Sequence, residues 1–156
     1  MINDEVHYIS TQKKKELEAE LNDLITNKRK AILESLEFAK SLGDLSENAE
    51  YHQAREEQGK LEDRINKIQA VLKDATVVTK HSTTSVSIGS IVTVLKKGDK
   101  VTREFTIVGS EEADMSNGKI SNNSPLGLSL IGKKEGDVST IHTPKGEVVY
   151  TIKDIK

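Results

Sequence analysis

Residues 13–42 contain neither Gly nor Pro. Beyond Gly59, apolar side chains recur at Leu61, Ile65, Ile68 and Leu72, spaced four, three and four. That spacing marks one face of a helix docked on a partner helix. The earlier segment supplies the partner, with Leu17, Leu21, Leu24, Ile25, Ile32, Leu36 and Ala39 on its buried side and Lys28 interrupting the stripe. A helix over Lys13 to Leu42 would run roughly 45 Å at 1.5 Å per residue. One so polar is marginal in water without a packing partner. The two segments therefore predict an antiparallel αα-hairpin, in effect a two-stranded coiled coil. Ser10 or Thr11 suits the first N-cap, and Gly43 suits the left-handed residue that ends the first helix. Asp44 suits the N-cap of a second helix running from about Leu45 to Lys73 or Asp74. Its seam continues backwards through Gln58, Ala54 and Tyr51, so apolar packing thins toward the reversal.

After Ala75 the chemistry changes. Thr76-Val77-Val78-Thr79 is β-branched and averse to helix, and His81–Ser87 is a Ser/Thr-rich linker or strand entry. Short strands follow at Ser90–Leu95, Val101–Val108, Lys119–Ser121, Val138–Thr143 and Glu147–Ile152, with one short helix over Leu126–Leu130. The expected fold class is α+β with two domains: residues 1–75 as the coiled-coil hairpin, its tip near 43–50, and residues 76–156 as a small sheet domain. With aromatics at 3%, charged residues at 31% and no Trp, one large core is not expected. The chain has no cysteine, hence no disulfide framework and no thiolate metal site. No apolar run reaches the roughly 18 residues of a membrane span, and MINDEVHYIS lacks the basic and apolar regions of a signal peptide. A net charge of −2 is wrong for a protein that coats duplex DNA through bulk electrostatics. Residues 1–75 hold 12 Lys and Arg against 16 Asp and Glu, so any nucleic-acid contact there is local.

The stretch between the helical segments, GDLSENAEYHQAREEQ over Gly43–Gln58, is strongly polar and sets Asp44 and Glu47 three apart. Two readings stand side by side. In one, the pair is a capping box: Asp44 accepts the N–H of Glu47, and Glu47 reaches back to the N–H of Asp44. In the other, the two carboxylates are oxygen ligands for a hard divalent cation. Mg²⁺ commonly takes one or two protein carboxylates and fills the rest of its shell with water and phosphate oxygens. Such a pair at the end of a helical rod completes a site belonging to another molecule.

That stretch resembles, almost residue for residue, the coiled-coil tip of the bacterial GreA/GreB transcript-cleavage factors. The likeness extends over the whole chain through Asn122–Gly127, Leu130–Lys133, Gly136-Asp137 and Thr143–Glu147. The resemblance implies a factor that inserts its hairpin through the secondary channel of RNA polymerase. There Asp44 and Glu47 would help to hold a catalytic Mg²⁺ and stimulate the polymerase's own cleavage of backtracked RNA. It further implies that Lys40 and Arg55 contact the 3′ RNA. The C-terminal domain would be FKBP-like and dock on the polymerase through Asn123, Ser124 and Pro125. The implied protein is no enzyme on its own and has no cofactor of its own, Mg²⁺ being held jointly with the polymerase. Its partners would be bacterial RNA polymerase and the nascent RNA 3′ end; it would be a cytoplasmic monomer, without a membrane, reaching the nucleoid through the polymerase. The alternative is a non-cleaving regulator that occupies the same channel, which the intact acidic pair disfavours. A prolyl isomerase on the C-terminal scaffold is disfavoured by the scarcity of aromatics. Lys40 and Arg55 read equally as solvated helix-face charges, and Lys28-Arg29-Lys30 reads as a solvated face. Tyr51 reads as seam packing, and His52 as a surface residue. Leu128-Ser129 stands where the family commonly has an Arg-Ala-like pair.

Overall fold

The computed structural model describes residues 6–44, 46–79 and 82–156. The chain forms two compact units: residues 14–74, and residues 75–156 together with the N-terminal segment through Lys13. The fold is α+β, with a helical hairpin and a sheet domain.

The first helical stretch comprises α1 (Thr11–Asp23), a π-helical turn over Leu24–Lys28, and α2 (Arg29–Ser41). Backbone angles stay helical through both junctions, at Asp23 and at Lys28. The cap is Ser10, whose Oγ accepts the N–H of Lys13. The π turn accounts for the interrupted stripe. It holds one residue more than an α turn, so a heptad seam begun at Leu17, Leu21 and Leu24 resumes one position late, at Arg29, Ile32, Leu36 and Ala39. Leu17, Leu36 and Ala39 are buried accordingly, while Lys28 is exposed. The partner helix α3 (Ala49–Asp74) buries Ala54, Leu61, Ile65 and Ile68. It starts four residues later than expected, for a reason that lies in the reversal.

Ion pairs cross the hairpin. Arg29 donates from Nε and Nη2 to the two carboxylate oxygens of Glu62, at 2.9 and 2.8 Å. Arg64 does the same to Glu20, both at 2.7 Å. Such two-pronged pairs fix geometry as well as energy. Arg29 is therefore no part of a freely solvated basic face: the π turn rotates it onto the seam, where Glu62 faces it.

In the other unit, β1 (Tyr8–Ser10) pairs in parallel with β2 (Thr76–Val78). The lead-in that was expected with the helices thus belongs with the sheet domain. Ile9 is buried, and the N–H and Oγ of Ser10 both donate to the Glu112 carboxylate, at 3.0 and 2.6 Å. The main sheet has five strands: β3 (Ile91–Lys96), β4 (Arg103–Val108), β5 (Lys119–Ser121), β6 (Val138–Thr143) and β7 (Gly146–Ile155). Their spatial order is β5-β4-β3-β7-β6; β4 and β5 run parallel and the other neighbours antiparallel. Alternation puts Val92, Val94, Phe105, Ile107, Ile120, Tyr150 and Ile152 on one face. The short helix α4 (Pro125–Leu130) adds Leu130 to that core. Part of the expected linker, His81, lies outside the described residues.

Candidate functional site

The reversal is built by three side chains. Helix α2 ends at Ser41 with Leu42 as its C-cap, and Gly43 follows at φ +120°, a conformation that favours glycine. Asp44 does not cap a helix. Its Oδ1 accepts both the backbone N–H and the hydroxyl of Ser46, each at 2.9 Å. These two bonds, the backbone one first, hold the Asp44 carboxyl below the usual carboxylate range. The capping-box expectation is therefore corrected: the local turn at Asp44 closes on Ser46, two residues on.

The cap of α3 is Asn48. Its Oδ1 accepts the N–H of Tyr51 at 3.0 Å, and its Nδ2 donates to the carbonyl of Ala39, in the last turn of α2, at 2.6 Å. One half-buried amide thus joins the end of one helix to the start of the next. A peptide N–H only donates and a carbonyl only accepts, so these partners fix which end of the amide points where. Sequence reading passed over Asn48 because Asp44-x-x-Glu47 offered a complete capping pattern four residues earlier. The signal was present in Asn48-x-x-Tyr51, which sets an N-cap residue directly before the helix.

Asp44 and Glu47 are both exposed. Glu47 makes no hydrogen bond or ion pair among the described residues, and the second oxygen of Asp44 is likewise uncommitted. The pair fits the donor set of Mg²⁺: two carboxylates, hard oxygens, with room for water and phosphate around them. Among the described residues no group of three or more His, Asp or Glu is gathered as a metal cluster. What the turn offers is a partial ligand set.

Lys40 lies in the last turn of α2, exposed and without an ion pair among the described residues. Arg55 is exposed, and its Nη1 donates to Gln58 Oε1 at 2.7 Å. Because α3 begins at Ala49, Arg55 stands about 9 Å along that helix from its start, nearer the reversal than a helix from residue 45 would put it. Tyr51 is half-buried, with its ring edge-on to His52 at 5.9 Å.

In the sheet domain, Asn123, Ser124 and Pro125 form the turn from β5 into α4. Ser124 Oγ accepts the N–H of Gly127 at 3.0 Å and donates to the Ser121 carbonyl at 2.7 Å. Pro125 opens the helix, where its missing N–H costs nothing. The N–H of Asn123 donates to Ser121 Oγ at 3.1 Å, leaving its side chain exposed. Gly127 packs so tightly that a Cβ there would stand 2.0 Å from the Ser121 carbonyl oxygen. The turn is a fixed shape that presents Asn123 and Pro125 outward.

These features define a two-domain protein: a helical hairpin with exposed carboxylates at its reversal, and a sheet domain with a rigid presenting turn. Residues 7–77 match the model of the family described as "Transcription elongation factor, N-terminal", and residues 81–156 match "Transcription elongation factor, GreA/GreB, C-term". The chain is 40% identical to the transcription elongation factor GreA of Shouchella clausii over 158 aligned positions, covering all of both chains. It is 42% identical to the GreA of Roseiflexus castenholzii, covering 99% of this chain and all of that one. A crystal structure of the GreA factor homolog 1 protein of Thermus thermophilus superposes with a TM-score of 0.42 at 23% identity, covering 97% of this chain and 99% of that one. The chain belongs to the GreA/GreB family of transcription elongation factors.

Proposed function

We propose that this chain reactivates stalled RNA polymerase by lending Asp44 and Glu47 to the polymerase's active centre, stimulating Mg²⁺-dependent cleavage of the 3′ end of backtracked RNA. The observation that carries this reading is the state of the two carboxylates. They are exposed at the reversal and, among the described residues, one has an oxygen without a partner and the other is uncommitted. A structural role alone would leave them tied to the helix start, and that task is done by Asn48.

When held there, Mg²⁺ supplies an activated water and spreads the charge of the transition state. The chain's own part is to place carboxylate oxygens. The bonds from Ser46 keep Asp44 ionised to lower pH than an ordinary aspartate. Lys40 and Arg55 offer positive charge on either side of the reversal for phosphates of the extruded RNA. The rigid turn at Asn123, Ser124 and Pro125 serves as the polymerase-docking surface. The chain acts as a monomer in the bacterial cytoplasm and performs no turnover alone. Among the described residues no helix is long and apolar enough to cross a membrane.

The test is a cleavage assay on backtracked elongation complexes. Wild type should release short 3′ RNA fragments, and Asp44→Asn with Glu47→Gln should bind the polymerase and release none. Equal cleavage by the double variant would refute the reading. Slowed elongation by wild type without fragments would establish a non-cleaving channel regulator instead.

A further inference from the structure

Resting on that reading, we infer that Asn48 is a positioning residue for the acidic pair: its side-chain amide, bound to Ala39 at one end and Tyr51 at the other, holds the loop that carries Asp44 and Glu47 in its ligating shape.

Among the described residues the loop has little else to define it. Of the described residues between Leu42 and Asn48, none belongs to a helix or strand. Its internal ties among the described residues are the two bonds from Ser46 to Asp44, which fix Asp44 relative to Ser46 but not relative to either helix. His52 approaches the Ser46 carbonyl at 3.5 Å, the outer limit of a hydrogen bond, from an exposed ring. The carbonyl of Gly43's helical partner, Lys40, is reached only at 3.4 Å. The amide of Asn48 makes the short cross-link, 2.6 Å to Ala39, and Ala39 is itself a buried seam residue. Both feet of the loop are thereby referred to the packed part of the hairpin. Metal ligation tolerates little displacement of its oxygens, so a small loosening here falls on the chemistry rather than on the fold.

The chemistry of caps separates the two roles of this side chain. Asn, Asp and Ser are nearly equivalent N-caps, but only Asn carries an N–H₂ that can reach across to Ala39. Asn48→Ser and Asn48→Asp therefore keep the helix start and remove the cross-link. The Asp variant also sets a carboxylate oxygen against the Ala39 carbonyl.

The test uses the full-length chain with backtracked complexes, alongside the free protein. In the free wild type, the Asn48 side-chain amide protons should exchange with solvent markedly more slowly than those of an exposed asparagine such as Asn22. Both variants should keep wild-type helical circular dichroism and half-saturate the polymerase at a factor concentration within about twofold of wild type. Their maximal cleavage rate should fall about tenfold or more, with Asn48→Asp the lower, and the Mg²⁺ needed for half-maximal cleavage should rise. Fast amide exchange in wild type would overturn the inference. So would variants that cleave like wild type, or that lose cleavage only in step with lost binding or lost helix. The Asp44→Asn, Glu47→Gln double variant in the same assay keeps the levels apart. If it cleaves normally, the proposed function fails; if it is inactive while Asn48→Ser is fully active, only the role of Asn48 fails.

Discussion

Deleting Lys28 should leave the hairpin almost as stable as it is, whereas inserting one alanine after Lys28 should damage it badly. The asymmetry follows from the π turn over Leu24–Lys28. One residue turns an α-helix by about 100°. The π turn already carries the surplus residue, so removing the exposed Lys28 lets it relax to α while Arg29, Leu36 and Ala39 stay on the seam. An insertion turns those residues about 100° further from α3. Leu36 and Ala39, 7% and 1% exposed, then face water. Exposing a buried leucine costs about 1.5–3 kcal/mol and a methyl about 0.8, so the sum is roughly 3 kcal/mol. For a unit of this size each kcal/mol moves the midpoint by about 4–8 °C, giving a drop of about 12–24 °C for the insertion and within about 4 °C of wild type for the deletion. Thermal melting followed by helical circular dichroism reads both. Equal losses from deletion and insertion would refute the phase argument.

Three further outcomes follow from the geometry. Ile68, 1% exposed on the seam, should lose about 2–5 kcal/mol on Ile68→Ala, read as a lower denaturant midpoint at unchanged slope. Gly127→Ala should distort the turn at Asn123–Pro125, because the new methyl would meet the Ser121 carbonyl at 2.0 Å; polymerase binding should weaken while the melting of the hairpin stays the same. Glu62 is held below the usual carboxylate range, first by the hydrogen bond from Arg29 and then by its charge. Its folded value is depressed, so the contribution of the pair is complete above the unfolded value of about 4.3 and is lost as pH falls through the lower folded one. The stability difference between wild type and Glu62→Gln should therefore be constant at neutral pH and shrink on acidification, as melting across a pH series would show.

The hairpin was legible because Leu61, Ile65, Ile68 and Leu72 repeat cleanly and residues 13–42 lack any breaker. The π turn was visible only as a charge in an apolar stripe. A one-residue slip in phase does not reveal which conformation absorbs it until the partner helix is in place. The Arg29–Glu62 and Arg64–Glu20 pairs span 33 and 44 residues, and no local pattern announces a contact set by the register of two helices. At the reversal, the acidic pair was misread as a capping box. Asp44-x-x-Glu47 satisfies the capping rule on paper, but an aspartate also closes readily on a serine two residues away, and of Asp44, Glu47 and Asn48 it is Asn48 whose side-chain amide brings a donor to the end of α2. The strands of the sheet domain followed from alternation and turn residues. The pairing of Tyr8–Ser10 with Thr76–Val78 did not, because parallel partners so far apart leave no signature in either segment.

The central claim is that this chain supplies ligands to a metal held by another protein, and a Mg²⁺ titration of RNA cleavage in backtracked complexes addresses it most directly. With wild type bound, half-maximal cleavage should require several-fold less Mg²⁺ than with polymerase alone, and the Asp44→Asn, Glu47→Gln variant, bound equally well, should return the requirement to that of the polymerase. An unchanged Mg²⁺ requirement with wild type bound would contradict the account.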